Sequence, residues 1–321
     1  MDFAISIATP VNSSAPAFNA SKLQNLTVAA TAPADAQVLT WVDANQAWEP
    51  LPGGGGLEGT PVAIGDIAGI TAQGANAVSI GTNTNQAGQG ASAISIGTNT
   101  GLTLQKINCV AIGVGAGQTN QSNQSVAIGN QAGQIDQNQS VALGNQAGAT
   151  NQNKSVAIGN QAGTENQNLS IALGNHAGHN NQIESISLGR QAGETNQDTS
   201  IAIGNFAGQT SQVQGIAIGT LSGRTNQAAR AIAIGSEAGK NNQSLEAVAI
   251  GARAGIDDQG DYAVAIGRWA GETLQGEKSI AIGFQAAETS QPNNSIVLNA
   301  SESATVNASG ANQFHVAPVR S

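Results

Sequence analysis

SVAIGNQAGQIDQNQ at residues 125–139 and SVAIGNQAGTENQNL at residues 155–169 are two copies of one unit, and the way this unit recurs decides the fold. Its first glycine returns at Gly65, Gly81, Gly97, Gly113, Gly129, Gly144, Gly159, Gly174, Gly189, Gly204, Gly219, Gly235, Gly251, Gly267 and Gly283. The spacing is 16 residues, then 15 from Gly129 to Gly219, then 16 again. A last unit, SIVLN at Ser295 to Asn299, keeps the frame with Asn in the glycine's place. Three residues before each glycine stands Val or Ile, and one before it Ile or Leu, with Ala or Ser usually between them. Alternation at period two with β-branched residues reads as a strand. The glycine ends it, and pairs such as Ala132-Gly133 and Ala207-Gly208 make a second corner.

Coils of 15–16 residues closing at constant register stack with strands about 4.8 Å apart. Roughly sixteen of them give a rod of about 75 Å. The expected fold is therefore all-β, a parallel β-roll or β-solenoid over residues 61–299. Eight residues after every marker glycine stands Gln, from Gln73 to Gln291, and the extra residue of the longer units always follows it. This column is expected to form an amide ladder, each Gln bonding its counterparts in adjacent coils. So short a coil has room for Ala127 and Ala132 but not for two rows of Val and Ile. The alanine face is thus assigned to the inside, and Val126, Ile128, Val156, Ile158, Ile201 and Ile203 to an outer stripe. An apolar stripe of that length requires cover by other chains.

Composition excludes several classes. Charged residues are 10% and aromatic residues 3% of the 321 residues, so a large core of bulky side chains is not expected. A net charge of −9 and no cluster of Lys and Arg argue against nucleic acid. Cys109 is the only cysteine, which leaves no intrachain disulfide or cysteine metal site, and it is read as a packed free thiol. The first residues, MDFAISIATPVNSS, lack the basic and apolar runs of a secretory signal, and no apolar stretch reaches membrane-spanning length, so membrane insertion is not expected.

Residues 1–60 lie outside the repeat. VLTWVDANQAWEPLPGGGG at residues 38–56 reads as a hairpin, with strands at Val38–Val42 and around Trp48 and a turn at Asp43-Ala44-Asn45, followed by a flexible glycine joint. Ahead of it, Phe3, Ile5, Ile7, Val11 and Phe18 alternate in the manner of a strand that adds to another chain's open edge, which makes this an assembly or anchoring segment. Residues 300–321 lose the motif and are expected to cap the last coil.

No catalytic constellation is discernible, and no enzyme activity or cofactor is expected. Gly113-Val-Gly-Ala-Gly117 sits in register with the repeat and lacks the following Lys and Ser/Thr of a phosphate loop. His176 and His179 have no carboxylate or Cys at ligand spacing and are read as exposed polar residues. Asp257-Asp258 is read as a solvated turn rather than a calcium site. Sequons such as those at Asn12, Asn25, Asn138 and Asn168 are expected by chance in so Asn-rich a chain. One column stands out: two residues after the marker glycine, Gln gives way to Phe206, Leu221, Glu237, Arg253 and Trp269, with Tyr262 and Arg268 nearby. Stacking places Arg253 under Trp269 for a cation–π contact, and exposed aromatics with Arg suit a receptor or glycan.

The units SVAIGNQAG, SIALGNHAG and AVAIGARAG resemble the head repeats of trimeric YadA-like adhesins, over about three-quarters of the chain. That resemblance implies a left-handed parallel β-roll with three chains packed along a common axis, hence a homotrimer built around the apolar stripe. Two features of that family, an export signal and a C-terminal membrane-anchor barrel, are not expected from this sequence. The ends resemble other proteins. Residues 38–56 are similar to N-terminal segments of phage and large-virus fibres, and residues 294–321 to the stretch before the intramolecular chaperone of tailspike-type proteins. These resemblances imply a trimeric fibre or spike on a virion surface, anchored by its N-terminus and directed at a host. The alternative is a subunit of a cell-made extracellular filament, with trimers joined end to end.

Overall fold

The computed structural model describes residues 61–69, 72–301 and 305–318, together with the backbone of four strands before them. The chain divides into two compact units, Met1–Pro61 and Val62–Ser321. In the first, Gln37–Val42 and Ala47–Pro52 pair antiparallel with Trp41 opposite Trp48, which is the hairpin read from the sequence. Leu26–Val28 runs parallel to Ala47–Pro52, and Lys22–Leu23 pairs antiparallel with Leu26–Val28. The turn at Asp43-Ala44-Asn45, the glycine joint, and Phe3, Ile5, Ile7, Val11 and Phe18 lie outside the described residues.

The second unit is a parallel β-solenoid. The short strands that lead to the marker glycines, from Val62–Ile64 through Val126–Ile128 to Ile280–Gly283, pair in chain order. Register is kept unit for unit: Val126 faces Val141, Ala127 faces Ala142 and Ile128 faces Leu143. On the other side of the coil a second ladder of nine strands runs from Ala87–Gln89 to Thr210–Val213. A third, of Asn241–Gln243, Asp257–Gln259 and Thr273–Gln275, follows. Between them the coil holding Thr225 contributes a single bridge to Asn241, at the point where 15-residue spacing returns to 16.

The stack continues past the last recognisable repeat. Phe314–Ala317 adds a parallel strand to Ile296–Asn299, pairing Ile296 with Phe314 and Asn299 with Ala317. This is the end expected only as a cap. Between these two strands Val306 bridges Ala286 and packs on the alanine core.

Alanine fills the roll, as its size demands. Ala111, Ala116, Ala127, Ala132, Ala142, Ala147, Ala157 and Ala162 are all fully buried in one cluster. The marker glycine is needed because the coils approach backbone to backbone there. At Gly235 φ is 130°, and a Cβ would stand 2.6 Å from the carbonyl oxygen of Gly251 in the next coil.

Coil length is tied to one residue, the one just before each strand. In 16-residue coils its N–H closes a tight turn, as Ala231 N to Ala228 O (3.3 Å) and Ala263 N to Gly260 O (3.2 Å). The 15-residue turn is one residue shorter, and its N–H donates instead to the serine hydroxyl of the preceding coil. Ser155, Ser170, Ser185 and Ser200 each donate to the Oγ 15 residues earlier at 3.2–3.3 Å, and Gly215 to Ser200 Oγ at 3.3 Å. A serine is therefore required only where a 15-residue coil follows. Ser125, Ser140, Ser155, Ser170, Ser185 and Ser200 occupy those six places, whereas Gly215, Ala231, Ala247 and Ala263 precede longer coils.

The glutamine column corrects the expectation of one continuous ladder. In the longer coils Nε2 bonds Oε1 of the next Gln, from Gln105 to Gln121 at 3.1 Å and from Gln227 to Gln243 to Gln259 to Gln275 at 3.0–3.1 Å. Each also donates to backbone, as Gln121 does to Val110 O (2.9 Å) and Ser125 O (3.2 Å). From Gln152 to Gln197 the amide turns to main chain alone for its N–H bonds. Gln197 Nε2 donates to Thr195 O (3.0 Å) and Gly208 O (2.9 Å). With one residue fewer in the turn, the position four ahead of Gln is already in the strand, so the carbonyl that steers the amide in longer coils is displaced.

Candidate assembly interface and surface contacts

The outer row of the long ladder is apolar in every coil. Alternation along a strand sends Ala127 inward, where it is fully buried, and leaves Val126 half-buried and Ile128 38% exposed. Val156, Ile158, Ile201 and Ile203 are half-buried in the same two columns, and Ile171, Ile266 and Ile282 are 36–40% exposed. In-register pairing makes these columns continuous from Val62–Ile64 to Phe314–Ala317, where Phe314 is 62% exposed. The single chain leaves this stripe open.

The opposite side carries polar order. Asn151, Asn166, Asn181 and Asn196 form an exposed amide chain at 2.8–2.9 Å, and Asn138, Asn153 and Asn168 a second at 2.7–2.9 Å. Asn151, Asn166, Asn181 and Asn196 have φ of 52–53°, a left-handed conformation that Asn tolerates better than most residues. Asp257 and Asp258 stand in the same system. Each accepts from the Asn one coil below, Asn241 at 2.6 Å and Asn242 at 2.8 Å, so both carboxylates are hydrogen-bond rungs.

The aromatic column is built differently from the arrangement expected. The guanidinium over Trp269 belongs to its neighbour Arg268, at 3.7 Å from the ring centre, and not to Arg253. Arg253 pairs with Glu272 at 2.8 Å. Burial raises the Glu272 carboxyl above its usual range, and Arg253 partly offsets this. Trp269 also meets Phe284 at 5.4 Å, and Lys278 lies 5.9 Å from the ring of the exposed Tyr262. Phe206, the other bulky member, sits between Arg190 (4.8 Å) and Arg224 (5.6 Å), a contact that the sequence reading missed. It was in principle legible, since Arg190 and Arg224 lie one unit below and one above Phe206.

The remaining candidates resolve into repeat structure. His176 and His179 stack on each other at 5.2 Å, and among the described residues no group of three or more His, Cys, Asp or Glu could hold a metal. Gly113, Gly115 and Gly117 have φ of 130°, 65° and 52° and are a coil corner in register with Gly129, Gln131 and Gly133. Cys109 is fully buried, with Sγ 2.8 Å from Ser122 O, and burial raises its thiol pKa.

Residues 137–162 match two copies of the YadA head domain repeat. The chain thus carries YadA-like head repeats, and the same unit extends in register to both sides of the matched stretch. No curated protein matches the chain. Head repeat and parallel solenoid together mark a structural, adhesin-type scaffold.

Proposed function

We propose that the chain is a trimeric adhesive fibre in which three solenoids bury their apolar stripes against one another, and that this fibre stands on a virion surface and reaches toward a host. The observation that carries the trimer is the stripe itself. Two columns of Val, Ile and Leu face outward in every coil, and a soluble chain does not leave about 75 Å of such surface in water. The head repeat supports three as the number of chains. The virion placement rests on the likeness of residues 38–56 and 294–321 to viral fibre segments, and residues 1–60 would supply the anchor.

The test is the mass of the particle and its shape. Sedimentation should give three chains for the native protein, and Ile158→Asp should yield monomers or aggregates because it places a charge on the shared axis. A trimer that survives this substitution would show that the stripe faces elsewhere. Negative-stain images should show isolated rods. Continuous filaments would favour the alternative, a cell-made fibre of trimers joined end to end.

A further inference from the structure

We infer that Arg190, Phe206 and Arg224 form a pincer for the anionic groups of an acidic polysaccharide, one pincer per chain. The three residues come from consecutive coils. Arg190 follows Gly189 by one residue, Phe206 follows Gly204 by two and Arg224 follows Gly219 by five, so the two arginines reach the ring from different places in the coils below and above it. The guanidinium carbons lie 4.8 and 5.6 Å from the ring centre, and the ring holds both without neutralising either.

Charge complementarity selects the occupant. The chain carries −9 overall, yet among the described residues neither arginine has a carboxylate at ion-pair distance, while Arg230, Lys240, Arg253 and Lys278 each have one. Glu194, which shares this network through Gln209, is engaged by the amides of Gln191 (3.2 Å) and Gln209 (2.7 Å). Gln209 completes the arrangement by accepting from Arg224 Nε at 3.1 Å, which fixes that guanidinium and leaves its terminal N–H groups for a ligand. Phe206 has φ of 56°, the left-handed corner conformation that its counterparts His176, Gln191 and Leu221 share at 54°, 52° and 60°, so the ring is held at a fixed place on the coil.

The two guanidinium carbons, 4.8 and 5.6 Å from one ring centre, stand at most about 10 Å apart, within the reach of a disaccharide. Each presents paired N–H donors suited to a planar carboxylate or to sulfate oxygens. A nucleic acid, with one charge per about 1.7 Å of duplex, is repelled by the rest of this acidic surface far more than a polymer whose anionic groups stand a disaccharide apart. A polysaccharide with one anionic group per disaccharide meets both at once. Single-site binding of this kind is weak, and three parallel copies on one fibre would raise it by avidity, which is the point at which the inference rests on the trimer reading.

The test is retention of the full chain on immobilised hyaluronan, with one carboxylate per disaccharide, and on κ-carrageenan, with one sulfate per disaccharide, at low salt, with sedimentation of every sample. Native protein should be retained on at least one resin, and the two resins distinguish carboxylate from sulfate. Arg190→Ala combined with Arg224→Ala should weaken binding at least tenfold, whereas Arg253→Ala, whose partner is Glu272, should not. Native protein that binds neither resin, or a double variant that binds as well as native, overturns the pincer. A double variant that falls apart into single chains also overturns it, by showing that the cluster joins protomers. A native monomer that still binds through the two arginines would refute the trimer and leave the pincer standing.

Discussion

Ser170 serves two coils at once. Its hydroxyl accepts from Ser185 N at 3.3 Å and donates to Asn168 O at 2.9 Å, both within the shortened turn. Ser170→Ala should leave the Ser185 N–H buried without a partner, at about 1–3 kcal/mol, visible as a lower denaturation midpoint. Ser279→Ala should cost less, because Ser279 N already bonds Gly276 O and its hydroxyl donates to that same carbonyl. Equal losses would show that the hydroxyl, and not the shortened turn, is what matters. The glutamines separate in the same way. Gln243→Ala removes a rung that Gln227 donates to and Gln259 receives from, so its effect should spread over three coils, whereas Gln197→Ala loses bonds only to Thr195 O and Gly208 O. Hydrogen exchange of the flanking coils measures that spread.

A single coil is the element of this fold, and its tolerance is set by the closeness of its neighbours. Gly159→Ala should prevent one coil from seating on the next, since the new Cβ would run into the Gly174 carbonyl and φ is already 135°. Loss of the cooperative unfolding transition is the expected readout. Cys109 reports on the same tightness from inside: with no exposure and a raised thiol pKa, it should react with a thiol-modifying reagent only after unfolding. Reaction at the rate of a free thiol would mean that coils open locally. Much of the element was legible in the sequence, because period-two alternation and a fixed glycine frame leave a strand and a corner few other readings. Alanine inside and Val or Ile outside followed from volume alone. What escaped was direction. Sequence places a Gln in the roll but not the carbonyl its amide finds, and it places Arg253 beneath Trp269 without knowing that Glu272 claims the guanidinium. Phe314–Ala317 escaped because FHVA has no marker glycine, although it alternates like the strands below it.

At the scale of the whole solenoid, stacking turns a short motif into reach, and its two ends stand about 75 Å apart. If the alternating apolar residues of Met1 to Phe18 add a strand to another chain, as we propose, deleting them should leave the solenoid folded by circular dichroism and abolish attachment or polymerisation. A truncated chain that still attaches would remove the N-terminus from that role.

The serine before each strand also governs how such a gene can change length. Its hydroxyl serves the coil that follows, so the requirement is a rule about junctions and not about coils taken singly. Within Ser125 to Ser200 every junction is of one kind, and a coil can be duplicated or lost there with all polar partners restored, altering the rod by one step of about 4.8 Å. A 15-residue coil placed after Gly215, Ala231, Ala247 or Ala263 would find no hydroxyl behind it and would enter with a bare amide. Unequal crossing-over among these near-identical units is thereby channelled to the middle of the chain, where it tunes the fibre's span and leaves both ends as they were.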